Sequence, residues 1–394
     1  MRFFSSILER MKLIVNIKLK PLESQHSALL ATLKEANKAC DWISQETFES
    51  KIFKQFNLHK LVYRAVRDTF NLSAQMAVRC IAKVADSYKI QTNKQTTFKP
   101  TGSIAYDDRI ISFKKSDIVS VWTVEGRLNI PFVMGTHQRK LFQFRKGEVD
   151  LIFRKGEFYL NAVCDVPEDS PIIPNDILGV DFGICQLATD STGESFTGLE
   201  VERIRAKRFE QRQLLQQKAS KQTQSGKRPR HIHKLLKRLS GREKNFRKIE
   251  NHRIAKKLVG RAKAQNSAIA LENLKGIRTR TEKRLRKTRR AKHSGWSFHE
   301  LRNFVEYKSK LQGITVYLVD PRNTSRTCHK CGHCEKANRI SQSEFVCKNC
   351  NLHINSDFNA ALNIRDRGLV NVLQSSESVS RSKVNVITGL KPLP

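Results

Sequence analysis

The chain has 394 residues, 39% of them hydrophobic, enough for two or three domains with packed cores of their own. Its 73 Lys and Arg against 37 Asp and Glu leave a formal net charge of +36. That excess predicts a polyanionic partner, because displacing condensed counterions from phosphates drives association. An anionic membrane surface is the competing partner, but the chain offers no amphipathic anchor, no lipidation site and no run of roughly 20 apolar residues. Nucleic acid is therefore favoured and a membrane is not.

From the N-terminus, Met1-Arg2-Phe3-Phe4-Ser5-Ser6-Ile7-Leu8 is too short an apolar stretch for a signal peptide, and Met11 opens a cleaner strand pattern. Residues 1–10 are read as an extension without function, with Met1 and Met11 both possible starts. Lys12 to Lys20 alternates apolar and polar residues with the period of a half-buried strand. Two helical patterns follow, from about Glu23 to Ser44 and from about Leu58 to Tyr88, where Leu61, Val62, Ala65, Val66 and Phe70 recur at helical spacing. Phe98 to Val166 is rich in β-branched and aromatic residues, with Glu125-Gly126, Lys146-Gly147 and Lys155-Gly156 at hairpin-like intervals. The simplest assembly is a β-barrel over residues 11–170, interrupted by a helical insertion at about 22–90. Phe98, Trp122, Phe142 and Phe144 are read as barrel core more than as base-stacking platforms.

Pro167, Pro171 and Pro174 mark a linker. Beyond it, Ile177-Leu178-Gly179-Val180-Asp181 reads as a buried strand ending in an acid, continued by a hairpin through Asp190-Ser191-Thr192-Gly193. A basic helical hairpin over 201–262 is broken only around Ser225-Gly226 and Pro229. From Val201 to Arg290 there are 31 Lys or Arg against 6 Glu and no Asp, so this stretch concentrates the positive charge. Two short strands follow, Ser267 to Leu271 ending at Glu272, and Ile314 to Val319 before Pro321. The basic run Lys283 to Arg290 reads as a phosphate-contacting lid in preference to a solvated face, and residues 371–394 as a disordered Ser-rich tail.

Five of the nine cysteines lie between Cys328 and Cys350, a crowding that suggests metal and a reducing, cytoplasmic compartment, nucleoid-associated given the charge. Cys328-x2-Cys331 and Cys347-x2-Cys350 form two knuckles whose four thiolates complete a closed tetrahedral structural Zn2+ site. A redox pair or disulfide is the bland alternative. Cys334, His333 and His353 are read as spare.

Asp181, Glu272 and Asp357 stand at two strand ends and at the start of a short helix. Carboxylates brought together from such positions suit two-metal phosphodiester cleavage, which needs two Mg2+ or Mn2+ ions about 3.5–4 Å apart. Taken singly, each acid is equally well a turn residue or a helix cap.

Gly179-Val180-Asp181-Phe182-Gly183, Leu271-Glu272-Asn273-Leu274-Lys275-Gly276 and Asp357-Phe358-Asn359-Ala360-Ala361-Leu362-Asn363-Ile364 resemble the three RuvC motifs of the TnpB (OrfB-type transposase) family. Pro321-x2-Thr324-Ser325-x2-Cys328-x2-Cys331-Gly332 is similar to the start of that family's zinc ribbon, and Trp296 with Tyr307-Lys308 to the helix before it. The resemblance runs from Lys12 to Ile364. It implies an RNase H-like RuvC domain over 175–322 and 351–370, with a zinc ribbon at 323–350 inserted into it, following a wedge-type barrel. It further implies an RNA-guided DNA endonuclease of a transposable element, related to type V CRISPR effectors, with a guide RNA and target double-stranded DNA as partners. The barrel and its helical insertion would hold the guide RNA and read a short motif flanking the target. By the same resemblance Asp181, Glu272 and Asp357 are Mg2+ (or Mn2+) ligands, and Cys328, Cys331, Cys347 and Cys350 are Zn2+ ligands. One departure is Asn355, where the family often has an acid; since an Asn still accepts from a metal-bound water, the expected consequence is weaker metal affinity at most and not a dead site.

Rival readings are a nuclease-inactive RNA-guided DNA-binding repressor, a transposase proper acting at element ends, and a zinc-containing DNA-binding module with no chemistry. His231-Ile232-His233 spells the paired-histidine signature of transposases with a nucleophilic Tyr. It lies in the basic helical stretch, and the nearest downstream tyrosine is Tyr307, so it is read as coincidence.

Overall fold

The computed structural model describes residues 9–274 and 298–370. Most of the N-terminal extension, the basic run Lys283 to Arg290, Trp296 and the Ser-rich tail lie outside the described residues. The chain divides after Pro167 into two compact units.

The first unit is an antiparallel sheet of seven strands: β1 (Arg10–Leu19), β2 (Ile104–Tyr106), β3 (Ile111–Lys114), β4 (Ile118–Thr123), β5 (Gly126–Val133), β6 (Arg145–Arg154) and β7 (Glu157–Pro167). They run in the order β2-β6-β7-β1-β5-β4-β3. Alternation builds the inner face. Phe158, Leu160, Ala162 and Cys164 of β7 are buried, and the register Ile17↔Leu160 and Val15↔Ala162 sets the buried residues of β1 beside them; each large apolar side chain so buried stabilises by about 1.5–3 kcal/mol. The sheet curls into a nearly closed barrel, with the Tyr106 hydroxyl donating to the Trp122 carbonyl at 3.2 Å and Trp122 N–H to the Ile110 carbonyl at 2.9 Å. Lys155 and Gly156 both have positive φ, 56° and 82°, as a two-residue type I′ hairpin requires.

Three expectations for this unit change. Lys146-Gly147 is not a hairpin turn but lies inside β6, where the register shifts between Arg145 and Val149 and Gly147 takes a φ of 77°, the signature of a bulge. The helical insertion holds three helices: α1 (Glu23–Ser50), α2 (Gln55–Thr69) and α3 (Ala74–Tyr88). The second predicted helix divides because Phe70 is extended and the Ser73 side chain accepts from Met76 N–H to start a new helix, an N-cap that outcompetes continuous apolar periodicity. A short helix, α4 (Thr136–Phe142), joins β5 to β6. Phe98, Trp122, Phe142 and Phe144 are half-buried, not core; Phe142 packs edge-on against Phe113 at 4.8 Å, and Lys83 lies over the Phe98 ring.

The second unit is built on a five-stranded RNase H-like sheet of β8 (Asp176–Asp181), β9 (Gln186–Asp190), β10 (Ser195–Thr197), β11 (Ser267–Glu272) and β12 (Val316–Val319). The order is β10-β9-β8-β11-β12. β8 pairs antiparallel with β9 and parallel with β11, and β11 pairs parallel with β12. The helical stretch between β10 and β11 is α5 (Leu199–Gln224), α6 (Arg230–Leu239) and α7 (Arg242–Ala264), three helices and not a simple hairpin, because Ser240-Gly241 interrupts it as well as Ser225-Gly226. α7 and α8 (Phe298–Leu311) cover one sheet face through Ile254, Leu258, Leu301 and Val305, packed on Leu178, Val180, Ile269 and Leu271. The other face carries Ile177, Ala268, Ala270 and Val319 and receives Ile364 from a last helix, α9, over residues 356–370. Between β12 and α9 the chain forms a small antiparallel hairpin, β13 (Glu344–Val346) and β14 (His353–Asn355), around Cys328, Phe345 and Cys347.

Candidate active site and cysteine centre

The buried run of β8 and that of β11 lie side by side in the register Ala270↔Gly179 and Leu271↔Val180. One residue further, both strands end in an acid. Side chains alternate along a strand, so Asp181 and Glu272 fall on the face of Gly179 and Ala270, the face that α9 covers. Gly179 makes that covering possible: a Cβ there would lie 2.2 Å from the Ala361 carbonyl oxygen and 2.4 Å from the Arg365 nitrogen. The first turn of α9 supplies Asp357. Its start is fixed by Asn355, whose Oδ1 accepts from Asp357 N–H at 2.9 Å and Phe358 N–H at 3.1 Å. The residue that departs from the resemblance thus has a role of its own, as the helix N-cap.

Asp181 feels the other two acids. Burial, and then the charges of Glu272 and Asp357, hold the Asp181 carboxyl well above its ordinary 3.8, against the opposing pull of Arg339 and of Phe182 N–H. Burial also raises Glu272 and Asp357, with Thr324 and Arg367 opposing at Glu272 and Arg339 at Asp357. Glu272 is 9% exposed. Asp320 adds to the rise at Glu272, so it is Asp181 that feels the other two acids; buried carboxylates of this kind are the donor type that hard divalent cations with oxygen ligands take.

Several flanking residues escaped the sequence reading. Arg339, on the cysteine-bearing segment, places Nη2 3.6 Å from Asp357 Oδ1. Thr324, 3% exposed, donates its hydroxyl to Glu272 Oε1. Arg367 donates to the Asp320 carbonyl at 2.6 Å. Thr324 was legible only as part of a motif, and Arg339, 18 residues before Asp357, carries no local signal at all.

The two cysteine knuckles repeat one backbone pattern. Gly332 N–H donates to the Cys328 carbonyl at 2.9 Å, as Asn351 N–H does to that of Cys347 at 3.0 Å. Cys328 N–H donates to the His333 carbonyl at 2.9 Å, as Cys347 N–H does to that of Leu352 at 3.0 Å. Gly332 and Asn351 each follow a second cysteine with positive φ, 75° and 56°. The result is four Sγ atoms all within 4.8 Å, with Cys328 to Cys350 at 3.6 Å and Cys331 to Cys347 at 3.5 Å. Zn–S bonds near 2.3 Å in a regular tetrahedron set sulfurs about 3.8 Å apart, so the set fits zinc. The His333 N–H is the main cause that pulls the Cys331 thiol down to about 6, while burial pushes Cys328 up to about 12. Cys334 stands outside this group, His333 pairs with Glu335 at 3.2 Å and His353 with Glu344 at 3.0 Å. His231 and His233 are exposed on α6, and among the described residues the four cysteines are the group of Cys, His, Asp and Glu ligand atoms close enough together to share one metal ion.

Sequence comparison gives two family matches, one described as "Probable transposase" over residues 162–292 and one as "Cas12f1-like, TNB domain" over residues 298–364. A TnpB-like protein of Methanocaldococcus jannaschii is 35% identical over 275 residues, covering 65% of this chain and 92% of that protein. The chain belongs to the TnpB family. Other relatives of this TnpB-family chain include CRISPR-associated endodeoxyribonucleases Cas12f1 from Syntrophomonas palmitatica, 33% identical over 50% of this chain, and Sulfoacidibacillus thermotolerans, 30% identical over 54% of it. The match spans 40% and 50% of those two proteins' own lengths, so the chain spans about half of the Cas12f1 relatives it matches. Among solved structures, one described as a Cas12f1-sgRNA-target DNA complex matches with a TM-score of 0.58 at 20% identity, over 86% of this chain and 82% of that one. It shows that the TnpB-family fold here is shared with type V effectors. Among the described residues no helix is long and apolar enough to cross a membrane.

Proposed function

We propose that this TnpB-family protein is an RNA-guided, divalent-metal-dependent DNA endonuclease of a transposable element, cutting target DNA at Asp181, Glu272 and Asp357. What supports the reading is that β8 and β11, paired in parallel, end in Asp181 and Glu272, and that buried Asp181 feels the charges of Glu272 and of Asp357 at the start of α9. Divalent cations held there supply the Lewis acidity and charge neutralisation that phosphodiester hydrolysis needs. Asp181 and Glu272 would supply oxygen ligands from the ends of paired strands. Asp357 is presented from a capped helix start. Arg339 faces the same acids and supplies positive charge for a phosphate in its transition state.

The surroundings suit a nucleic acid. A cavity of about 310 Å³ between α5 and α7 is lined by Arg203, Lys207, Arg208 and Arg242 together with Ile204 and Phe246, cations and an aromatic ring of the kind that holds phosphates and bases. α5 buries only Ala219 and exposes Phe209 and Leu214 among its basic residues. In this reading the barrel unit with α1 to α3 holds the guide RNA and reads the flanking motif, and the RNase H-like unit cuts. The Cas12f1 relatives are named endodeoxyribonucleases and the fold neighbour is described in complex with sgRNA and target DNA, which supports guide RNA and target DNA as the partners.

The four thiolates of Cys328, Cys331, Cys347 and Cys350 are proposed as the ligands of a structural zinc. Zinc bound there supplies folding energy to a segment whose apolar core is little more than Phe345 and the cysteines, and such sites contribute about 10–16 kcal/mol. Cys347→Ser should therefore lose zinc, measured by elemental mass spectrometry, and give a lower thermal midpoint than the zinc-loaded parent. Full zinc occupancy in this variant would remove the assignment.

To test the function, the protein is purified with co-expressed RNA, the RNA is sequenced, and a plasmid library carrying matched targets is challenged in Mg2+. Cleavage that needs both the RNA and the matched target is expected, and is lost in Asp181→Ala. Absence of bound RNA would remove guidance, whereas RNA-dependent binding without cutting would favour a repressor.

A further inference from the structure

We infer that Thr324 is a positioning residue that fixes the Glu272 carboxylate for cation binding and so ties the start of the cysteine-bearing segment to the nuclease pocket. The inference rests on the nuclease reading above. Glu272 is a long side chain at the end of β11, and leaving it free to rotate would cost entropy each time a cation bound. Thr324 is its hydrogen-bonding partner. The Thr324 hydroxyl has one proton and two acceptors in reach, Glu272 Oε1 and the Pro321 carbonyl at 3.2 Å. The hydroxyl donates to the carboxylate, since a charged acceptor forms the stronger and shorter hydrogen bond. With Oε1 held in this way, Oε2 is the oxygen assigned to a cation.

Thr324 is itself held from two sides. It is β-branched, 3% exposed and stiff about χ1. Its carbonyl accepts from Asn363 Nδ2 at 2.8 Å, and the same amide reaches the Thr327 carbonyl at 2.7 Å. Asn359 adds a second peg, donating to the Thr327 carbonyl at 2.8 Å and accepting from His329 N–H at 3.1 Å. Asn359 and Asn363 lie on α9, the helix that begins at Asp357. The orientation of Glu272 is thereby set relative to Asp357 through one hydroxyl and two buried amides, and not through the sheet alone. A hydroxyl that merely satisfied a buried acid would be replaceable without changing how that acid meets a metal.

The experiment compares Thr324→Val and Thr324→Ser with wild type, using Glu272→Gln as the reference for a lost ligand. Mn2+ binding to the full zinc-loaded chain is read by calorimetry, and the Mg2+ dependence of guided cleavage is read on the RNA complex. Thr324→Val should weaken Mn2+ binding about 10–100-fold and raise the Mg2+ concentration for half-maximal cleavage by a similar factor. Saturating Mg2+ should recover most of the rate, and Thr324→Ser should restore both readouts. Wild-type Mn2+ binding in Thr324→Val overturns the inference. So does a Ser variant that keeps zinc and thermal midpoint yet binds Mn2+ no better than Val, because the hydroxyl would then be idle. If wild type binds Mn2+ but does not cleave with its RNA, the nuclease reading fails while the calorimetric comparison still decides the role of Thr324.

Discussion

Gly179→Ala should cost about 3 kcal/mol or more, above the usual 1–3 kcal/mol of overpacking, and should abolish cleavage. The added methyl would meet the Ala361 carbonyl oxygen at 2.2 Å, the Arg365 nitrogen at 2.4 Å and Arg365 Cβ at 2.8 Å. Two of these are backbone atoms of α9 and cannot rotate aside. Relief requires the helix to lift off β8, taking Asp357 away from Asp181. A loss of that size lowers the thermal midpoint by about 10 °C in a unit of this length. Gly260→Ala is the control of opposite sign. Gly260 lies in α7 with nothing within 4 Å of a Cβ, so alanine should stabilise by about 1 kcal/mol through helix propensity alone. Paired melts and cleavage assays of the two variants check both expectations; a Gly179→Ala protein that melts and cuts like wild type would remove the close packing of α9 on β8.

Asp181→Asn should yield a protein that cannot cut yet is more stable than its parent without metal. The amide keeps the shape and removes one of three charges that burial and mutual repulsion make costly. The folded state holds the Asp181 proton more tightly than the unfolded state does, since its carboxyl is raised above the ordinary 3.8. Wild-type stability from this group is therefore complete below that ordinary value and is lost as pH rises through the elevated folded one. The advantage of Asp181→Asn should vanish in acid and grow as pH rises above the ordinary carboxyl value. A gain of about 1 kcal/mol corresponds to about 2–4 °C in the thermal midpoint. Saturating Mg2+ should stabilise wild type more than Asp181→Asn, because a ligand raises stability only where it binds. Thermal melts across pH with chelator and with Mg2+ measure this; a variant whose stability relative to wild type in chelator does not rise with pH would contradict the strain assigned to Asp181.

The sequence exposed the ingredients of the site better than its wiring. Buried apolar runs ending in Asp181 and Glu272 are visible as strands because β8 and β11 are covered on both faces, which makes them continuous in hydrophobicity. Their adjacency is not visible, since parallel pairing joins residues about 90 positions apart through α5 to α7. The knuckles were legible because coordination fixes the spacing of cysteines within each pair. Arg339 and Thr324 were not, because their partners Asp357 and Glu272 are reached only after the cysteine-bearing segment folds back on α9. Helix ends were misplaced where a polar cap overrode periodicity, as at Ser73, or where Ser240-Gly241 broke a run that is otherwise uniformly basic. Asn355 was read for its charge, when the contact it makes is to the backbone of its own helix.

The most direct measurement takes the RNA-bound protein and three single variants, Asp181→Ala, Glu272→Ala and Asp357→Ala, and follows cleavage of a matched target in Mg2+ while zinc and RNA content are monitored. Each variant should retain zinc and RNA and lose cutting by a factor of about 1,000 or more, the loss expected when a group that acts as part of one unit is removed. Any one of the three that keeps its fold and cuts at the wild-type rate would contradict a single carboxylate pocket.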